Sequence, residues 1–271
     1  MLDLSTIVEG ATDLQALPGT VTRLTSILAQ EEWHMDDIVH AIQHDLSLTG
    51  RLLNLANSSI SGAAVQVDTV AHAVMRLGTG PVLSLAVGAA VRRSLSGPLT
   101  GLEEDTGKLW RHSVAAALAV TEIGKHCSVR PPQESFVSAL LHDVGYLALD
   151  RWLVTLPEGD ERAEARASIR ETDHGVLAGL ISARWHLSES IQEAVVHHHA
   201  PAQAPTERGR LVAGLVNVAD CAARTIGEGF LLEVNRLDRG TAIALKLTRA
   251  GFEGMCDAVE RKLEGFLELY S

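Results

Sequence analysis

The chain has 271 residues, which predicts one large domain or two small ones and excludes a miniature fold held together by disulfides. Hydrophobic residues make up 46% of the chain and aromatic residues 4%, so the core must be mostly aliphatic. Lys and Arg number 23 against 34 Asp and Glu, which gives a formal charge of −11. That charge disfavours bulk binding to nucleic acid or to anionic membranes, because both are repelled.

Neither an oxidising compartment nor a membrane is expected for this chain. The cysteines at 127, 221 and 256 are odd in number and form no C-x-x-C pair, which suits a reducing compartment such as the cytoplasm. The N-terminus carries acids and lacks a basic region before an apolar run, so we expect no secretory signal. The most apolar uncharged stretch, residues 77–91, includes Pro81 and falls short of the roughly 18–20 residues that span a bilayer.

Apolar residues recur three and four positions apart in the N-terminal part of the chain. Leu48, Leu52 and Leu55 are typical of one face of an amphipathic helix, and residues 21–28 and 38–42 repeat the spacing. Short polar residues just before such runs predict helix N-caps, because their oxygens can accept the first backbone N–H groups. The predicted caps are Asp36, Ser47, Asp68, Asp173 and Ser188.

A cluster of Gly and Pro at residues 97–101 predicts a break between two helical lobes. The second lobe repeats the helical spacing, first between Leu109 and Ile123 and last between Leu211 and Ala219. Sustained alternation of period two, the signal of a half-buried strand, is absent from the sequence. The fold is therefore predicted to be all-α.

The histidines are the most informative residues of the chain. Eight of the twelve fall between residues 112 and 199, on or beside predicted helical stripes. Imidazole nitrogens and carboxylates delivered from separate helices are typical of metal sites in helical bundles. The candidate ligands are His112, His142, Asp143, His174, Asp220 and the run His197, His198, His199.

Simpler interpretations of the same residues stay open. A single histidine on an apolar face is more often a hydrogen-bonded core residue than a ligand. The run at 197–199 could be a solvated helix end, where protonated imidazole meets the negative end of the helix dipole. A second His-Asp pair, His44-Asp45, stands apart from the His-rich region, so the dipeptide alone is weak evidence. Only the joint pattern favours a metal site.

Several segments together resemble the HDOD family, the HD-related output domains of bacterial signalling. They are LP at 17–18, RLLNLANS at 51–58, AVMRLG at 73–78, LWRHS at 109–113, ALLHDVG at 139–145, DHG at 173–175 and HHAP at 198–201. The match covers residues 14–225, with an N-terminal helical lobe at 14–97 and an HD-like helical lobe at 102–225. It leaves residues 226–271 as a C-terminal helical extension.

The resemblance implies a regulatory or protein-interaction module related to the HD metal-dependent phosphohydrolases. The basic metal quartet of HD hydrolases corresponds to His112, His142, Asp143 and Asp220, and the additional ligands of two-metal HD phosphodiesterases correspond to His174 with His198 or His199. A set of His and carboxylate ligands without sulfur suits iron, manganese, zinc or nickel. A metal held there would activate water for hydrolysis.

Three positions depart from the patterns of these families. Many active HD members follow His-Asp-x-Gly with a Lys that can meet a substrate phosphate, whereas this chain has Tyr146. The cyclic-di-guanylate branch has Gly-Tyr-Pro shortly after its paired histidines, where this chain reads APAQ at 200–203. The usual Asp-Pro of the HDOD family is Asp45-Leu46 here, which changes a turn. The first two departures weaken the interpretation as an enzyme.

Four residues of the N-terminal lobe are candidates for partner binding. Arg51, Asn54 and Asn57 lie three positions apart on one predicted helix, and Ser58 follows directly. They could form an exposed recognition surface. Asn57 and Ser58 could instead end the helix and hydrogen-bond to the next loop, which is the commoner use of such residues.

The sequence therefore predicts a bacterial signal-transduction module that regulates rather than catalyses and binds other signalling proteins. No receiver, cyclase or kinase segment is recognisable, so we expect its input to come from another molecule. The alternative is a metal-dependent phosphohydrolase acting on a nucleotide or cyclic nucleotide, which the complete His/Asp set keeps open. Binding of a nucleotide or cyclic dinucleotide without turnover is a third and less favoured alternative.

Overall fold

The fold is helical throughout the part of the chain that the computed structural model describes. That part comprises residues 4–11, 14, 18–28, 32–58, 65–94, 97–127, 129–169, 174–231 and 236–268. Within these ranges there is no strand, and the one extended pairing is an isolated bridge between Leu99 and Glu104. The predicted all-α fold is confirmed.

The helices fall into an N-terminal and a C-terminal set. The first set is α1 (Leu4–Gly10), α2 (Gly19–Leu28), α3 (Met35–Gln43), α4 (Leu46–Asn57), α5 (Val70–Leu77) and α6 (Thr79–Ser94). The second set is α7 (Thr106–His126), α8 (Glu134–Leu141), α9 (Gly145–Thr155), α10 (Asp160–Ser168), α11 (His174–Arg184), α12 (Glu189–His197), α13 (Glu207–Thr225), α14 (Arg239–Ala244) and α15 (Arg249–Leu267), with a 3-10 turn at Pro201–Gln203.

Helix α4 forms as its apolar spacing predicts, but it begins two residues earlier than expected. Leu48, Leu52 and Leu55 are buried on one face. The Asp45 carboxylate accepts a hydrogen bond from the Leu48 N–H at 2.9 Å and so caps the helix. The predicted cap at Ser47 is wrong, because that residue is already the second of the helix.

Three further predicted caps, Asp36, Asp68 and Ser188, do not form the expected N-cap hydrogen bond. Thr69, rather than Asp68, caps α5, and Asp36 lies inside the first turn of α3. Ser188 stands at the N-cap position of α12, but its side chain accepts no hydrogen bond from a backbone N–H of that helix. Asp173 lies outside the described residues. Short polar residues stand close together at these helix starts, and the backbone path decides which of them takes the cap.

Helix α7 is the central element of the second lobe. Helices α8, α13 and α15 pack against it. Ala115, Ala116, Ala117 and Ala119 are fully buried along its length, and such small side chains let neighbouring helices approach closely. His112 lies one turn earlier in the same buried run, so α7 delivers its imidazole to the interior.

The two lobes share one hydrophobic core. Helix α6 packs on α8, and α1 packs on α9 and α11. The break predicted at residues 97–101 is attached to α9, because the Asp150 carboxylate accepts the Gly101 and Leu102 N–H groups at 2.8 and 3.1 Å. A Cβ atom on Gly101 would lie 2.5 Å from the Asp150 carbonyl oxygen, so glycine is required there. The segment is thus a turn fixed against α9, and the lobe boundary expected there stays a prediction.

The segment after α13 returns to α7. Helix α15 packs along α7 and also contacts α13. Met255, Val259, Leu263 and Phe266 are buried on one face of α15, at the four- and three-residue spacing of a helix. This segment, which lies outside the sequence resemblance, therefore adds a buried apolar face to the core around α7.

No single helix in the described ranges is long and apolar enough to cross a membrane. Helices α5 and α6 meet the length and composition criteria only together, with a bend of 109° between them. Val74 of α5 and Leu85 and Val87 of α6 are fully buried in the core.

Candidate metal centre

The seven predicted ligands converge from five parts of the second lobe. The ligands are His112 on α7, His142 and Asp143 in the turn after α8, His174 at the start of α11, His198 and His199 just after α12, and Asp220 on α13. His197, the first of the three consecutive histidines, is the last residue of α12 and takes no part in the contacts described below.

Four of these side chains meet around the Nε2 atom of His112. That atom lies 3.1 Å from Asp220 Oδ1, 3.2 Å from Asp143 Oδ2 and 3.1 Å from His142 Nε2. His142 Nε2 lies 3.4 Å from Asp143 Oδ2 and 3.8 Å from Asp220 Oδ1. All four residues are fully buried. The structure thus gathers the quartet that the resemblance implied.

The other three histidines gather at the second oxygen of Asp143. His174 Nε2 lies 3.2 Å from Asp143 Oδ1 and 3.3 Å from His198 Nε2. His199 Nε2 lies 3.1 Å from His174 Nε2, and His199 is the one exposed member of the cluster. Because Oδ2 faces the first group and Oδ1 faces the second, Asp143 lies between two sets of ligand atoms.

Hydrogen bonds on the outer side fix three of the rings. The Nδ1 atoms of His142, His198 and His112 each lie 2.7 Å from a main-chain carbonyl oxygen. The acceptors are Ala139 for His142, Val195 for His198 and Glu228 for His112. A carbonyl can only accept, so each Nδ1 carries a proton and each Nε2 faces the cluster, as in metal-binding histidines.

In neutral rings with these tautomers, the unprotonated Nε2 atoms and the carboxylate oxygens face one another, and all of them are hydrogen-bond acceptors. The neutral rings of His112 and His142 would direct their Nε2 lone pairs at each other across 3.1 Å. Neither oxygen of Asp143 has a well-aligned hydrogen-bond donor among the described residues, although ring nitrogens lie 3.2–3.4 Å away. Buried acceptors in this arrangement are costly unless a cation lies among them. The donor set fits iron, manganese, zinc or nickel.

The protonation of the metal-free cluster follows from the same contacts. Burial opposes charge on His112, but the Asp143 and Asp220 carboxylates raise its pKa to about 10. Burial also opposes charge on the two carboxyls, yet the adjacent imidazoles hold both pKa values well below the usual range. Burial lowers the pKa of His198 well below its ordinary value, and the neighbouring histidines lower it further. Without metal, a proton on His112 Nε2 therefore supplies the positive charge between the two carboxylates, in place of the cation that neutral rings would require.

The turn after the His-Asp pair requires glycine. A Cβ atom on Gly145 would collide with the His174 carbonyl oxygen and would lie 2.9 Å from the Ala178 nitrogen. Both are backbone atoms of α11, which cannot move aside without displacing the helix. Gly145 therefore permits the close approach of α9 and α11 that sets His174 beside Asp143.

Tyr146 occupies the position where many active HD hydrolases have a Lys. Its side chain is fully buried. The ring stacks on His174 and meets Phe230 edge to face, at centroid distances of 4.5 and 5.3 Å. The position therefore contributes packing rather than a positive charge.

Two side chains that hold the ligands were missed by the sequence analysis. Arg224 lies one turn after Asp220 on α13 and donates from Nε to Asp220 Oδ1 at 2.9 Å. Asn217 donates from Nδ2 to the His198 carbonyl at 3.0 Å and accepts the Asp238 N–H at 2.8 Å. The spacing of four between Asp220 and Arg224 was a signal for the first. Asn217 acts on residues distant in sequence, so no local pattern revealed it.

Comparison with known proteins identifies the family of the chain. The family model described as the HDOD domain matches residues 14–201, more than half of the chain. The chain belongs to the HDOD family. A curated relative, an uncharacterized protein of Treponema pallidum (strain Nichols), is 22% identical over 218 residues, which cover 77% of this chain and 42% of the relative. The HDOD protein described here thus spans less than half the length of that relative.

Solved structures share the fold. An HDOD domain protein of unknown function from Geobacter sulfurreducens has a TM-score of 0.69 at 21% identity, covering 99% of this chain and 97% of its own. A Marinobacter aquaeolei VT8 protein, provisionally called a signal transduction protein, has a TM-score of 0.69 at 21% identity and covers 95% and 59%. A Shewanella amazonensis SB2B protein, provisionally called a metal-dependent phosphohydrolase, has a TM-score of 0.66 at 17% identity and covers 96% and 97%.

The predicted partner residues of this HDOD protein lie on or just after α4, away from the ligands. Asn57 donates from Nδ2 to the Val67 carbonyl at 2.8 Å and accepts the Val67 N–H at 2.7 Å. The Ser58 hydroxyl donates to the Leu55 carbonyl at 2.8 Å. Both side chains therefore hold the end of α4 and the chain beyond it, as the second interpretation stated. Partner binding by Arg51, Asn54, Asn57 and Ser58 stays a prediction.

Proposed function

We propose that this HDOD protein is a regulatory module of bacterial signal transduction, which acts in the cytoplasm through contacts with other signalling proteins. We further propose that its buried His/Asp cluster holds a structural divalent metal. Family membership supports the signalling role, as does the fold shared with the Marinobacter protein. The metal part depends on one observation, the Asp143 carboxylate buried between two groups of imidazole nitrogens without a well-aligned donor.

The residues that would hold the metal divide into two groups. His112, His142 and Asp220 supply one set of close ligand atoms, and His174, His198 and His199 supply the other. Asp143 has one oxygen toward each set. A divalent metal bound there would act as a Lewis acid toward water in a hydrolase, and in this chain it would tie together five parts of the fold.

The surroundings of the cluster support a structural rather than a catalytic metal. Cleavage of a phosphate ester requires a cationic group that stabilises the developing charge. Tyr146 supplies none, and it is enclosed by His174 and Phe230. The Arg224 guanidinium donates to Asp220 and to the Phe230 carbonyl, at 2.9 and 3.2 Å, so it already serves to hold the ligand and the following loop.

The outer face of α4 is the proposed partner surface. Leu46 at its first position is 88% exposed, which is unusual for a large apolar side chain. Asn54 is exposed two turns further along the same helix. An exposed apolar anchor with polar neighbours is a common composition for a protein interface.

Partner capture in cells that produce the protein tests this surface. Leu46→Asp should lower the yield of cross-linked partner strongly, because it places a charge at the centre of the proposed contact. Ile243→Asp is the matched control, since Ile243 on α14 is 78% exposed and distant in sequence from α4. Equal losses for the two variants, or no loss for either, would contradict the proposed surface.

Hydrolysis of a nucleotide or cyclic nucleotide is the second candidate function, and one observation favours it. His199 is exposed while its Nε2 atom lies 3.1 Å from that of His174, so one edge of the cluster reaches the surface. A screen with cyclic dinucleotides, cyclic mononucleotides and nucleoside phosphates, with added manganese or iron, separates the two functions. The regulatory function predicts no turnover above that of Asp143→Ala. Metal-dependent turnover that Asp143→Ala abolishes would establish the enzyme instead.

A further inference from the structure

We infer that the C-terminal segment orients the metal ligand His112 through a relay from Glu264 to Arg111 to Glu228. The inference rests on the proposed function, because it concerns the affinity of the cluster for metal. Glu228 and Glu264 lie beyond residue 201, where the family match ends. The relay therefore makes the metal centre dependent on a part of the chain outside that match.

His112 differs from the other two oriented rings in the origin of its acceptor. His142 and His198 each donate from Nδ1 to a carbonyl three residues earlier, so their own helix ends fix them. The acceptor for His112 is the Glu228 carbonyl oxygen, 116 residues later in the chain. The orientation of this ligand thus depends on how the segment after α13 is held against α7.

Adjacent residues of α7 hold Glu228 at two points. His112 binds its carbonyl oxygen, and Arg111 binds its carboxylate with two hydrogen bonds, Nε to Oε2 at 3.0 Å and Nη2 to Oε1 at 2.6 Å. A guanidinium that donates two parallel hydrogen bonds fixes a carboxylate in direction as well as distance. Arg111 therefore positions the Glu228 carbonyl, which accepts the hydrogen bond from His112 Nδ1, by holding the side chain of Glu228.

Helix α15 supplies the outer end of the relay. Glu264 Oε1 accepts a hydrogen bond from Arg111 Nη2 at 2.7 Å. The Glu264 side chain is 72% exposed, so an isolated ion pair there would add little stability. Its place in the relay is to hold the Arg111 guanidinium in the plane that matches Glu228. Residues that fix a ligand ring commonly change metal affinity by about 10- to 100-fold when they are replaced.

Calorimetric titration with Mn²⁺, together with urea unfolding, tests the relay in the full chain. Arg111→Met should raise the Kd for Mn²⁺ by about tenfold or more, and Glu264→Gln should raise it less. Lys262→Met is the matched control, because Lys262 of α15 binds Glu122 of α7 at 2.5 Å without touching Glu228. The control should lower the free energy of unfolding and leave the Kd unchanged.

A second readout does not need the metal. In the metal-free protein, the Nδ1–H of His112, hydrogen-bonded to the Glu228 carbonyl, should give a slowly exchanging ¹H–¹⁵N resonance in the wild type and a faster-exchanging one in Arg111→Met. A wild-type Kd in Arg111→Met, or an equal loss of affinity in Lys262→Met, would overturn the relay alone. A wild-type chain that binds no Mn²⁺ would overturn the proposed metal site and the relay's effect on it together.

Discussion

The Tyr146 ring stacks on the His174 imidazole, with centroids 4.5 Å apart and planes inclined by 15°. Phe230 meets the same tyrosine edge to face at 5.3 Å, so Tyr146 is held from a second direction. The stack fixes the plane of a proposed ligand, as main-chain carbonyls fix three other rings of the cluster. A residue that departs from the hydrolase pattern is thus part of the framework of the centre.

Tyr146→Ala should therefore affect both stability and metal binding. Removal of a fully buried aromatic side chain costs about 3–5 kcal/mol, and His174 would lose the ring that restrains it. Urea unfolding of the metal-free protein measures the first effect, and Mn²⁺ titration measures the second. Phe252→Ala, which removes a half-buried ring of α15, should cost less and leave the Kd for Mn²⁺ unchanged. Wild-type metal affinity in Tyr146→Ala would contradict a positioning role.

Gly145→Ala should destabilise the protein and displace His174. The added methyl group would collide with backbone atoms of α11, and such overpacking costs about 1–3 kcal/mol. Gly80→Ala is the matched control, because Gly80 lies in α6 with no atom within 4 Å of the added Cβ. In that helix the change should be neutral or stabilising. Thermal unfolding of the two variants, with and without Mn²⁺, measures the difference. Equal melting temperatures for Gly145→Ala and Gly80→Ala would contradict the close approach of α9 and α11.

Asn57→Ala should lower the free energy of unfolding by about 1–3 kcal/mol, because two backbone groups of Val67 would lose their partner. Asn54→Ala, a change of the same residue type on the exposed face of α4, should stay within about 0.5 kcal/mol of the wild type. Urea unfolding measures both. If the two variants were equally stable, the side-chain bridge would not hold the end of α4.

The fold and the members of the His/Asp cluster were accessible from the sequence for a physical reason. Helical stripes such as Leu48, Leu52 and Leu55 repeat at a period that only one regular structure explains. The seven clustered side chains were found because His and Asp recurred beside such stripes and matched a known order of motifs. Local periodicity and residue chemistry can both be recognised within short segments of the chain.

Features that depend on contacts distant in sequence were not accessible. The acceptor for His112 lies in a segment 116 residues later, and no pattern near His112 points to it. The hydrogen bond from the Gly101 N–H to Asp150, 49 residues later, is likewise marked by no pattern near Gly101. The predicted start of α4 was wrong by two residues, because Asp45 and Ser47 are equally good N-caps by composition.

Without metal, the stability of the protein should fall as pH rises from about 6.5 to about 10. The pKa of His112 is raised to about 10 in the folded chain and is about 6.5 when unfolded. Its protonation therefore stabilises the fold fully below the lower value and is lost as pH approaches the upper one. Saturating Mn²⁺ should remove this dependence, because the metal replaces the proton.

Urea unfolding at three pH values, with chelator or with Mn²⁺, measures this dependence. His112→Asn is the control, since it lacks the titrating group and should show a flatter profile in chelator. A profile in chelator that His112→Asn leaves unchanged would contradict the charge assigned to the metal-free cluster.

Metal content is the most direct test of the central claim that the cluster around Asp143 holds a divalent metal. The chain should be purified without chelator and without an affinity tag, and its metals counted by mass spectrometry. The account predicts at least one iron, manganese, zinc or nickel ion per chain, lost in Asp143→Ala and retained in Asp160→Ala, a change at the exposed start of α10. A wild-type chain that neither carries such a metal nor takes one up on addition, or an Asp143→Ala variant with the same content, would contradict it.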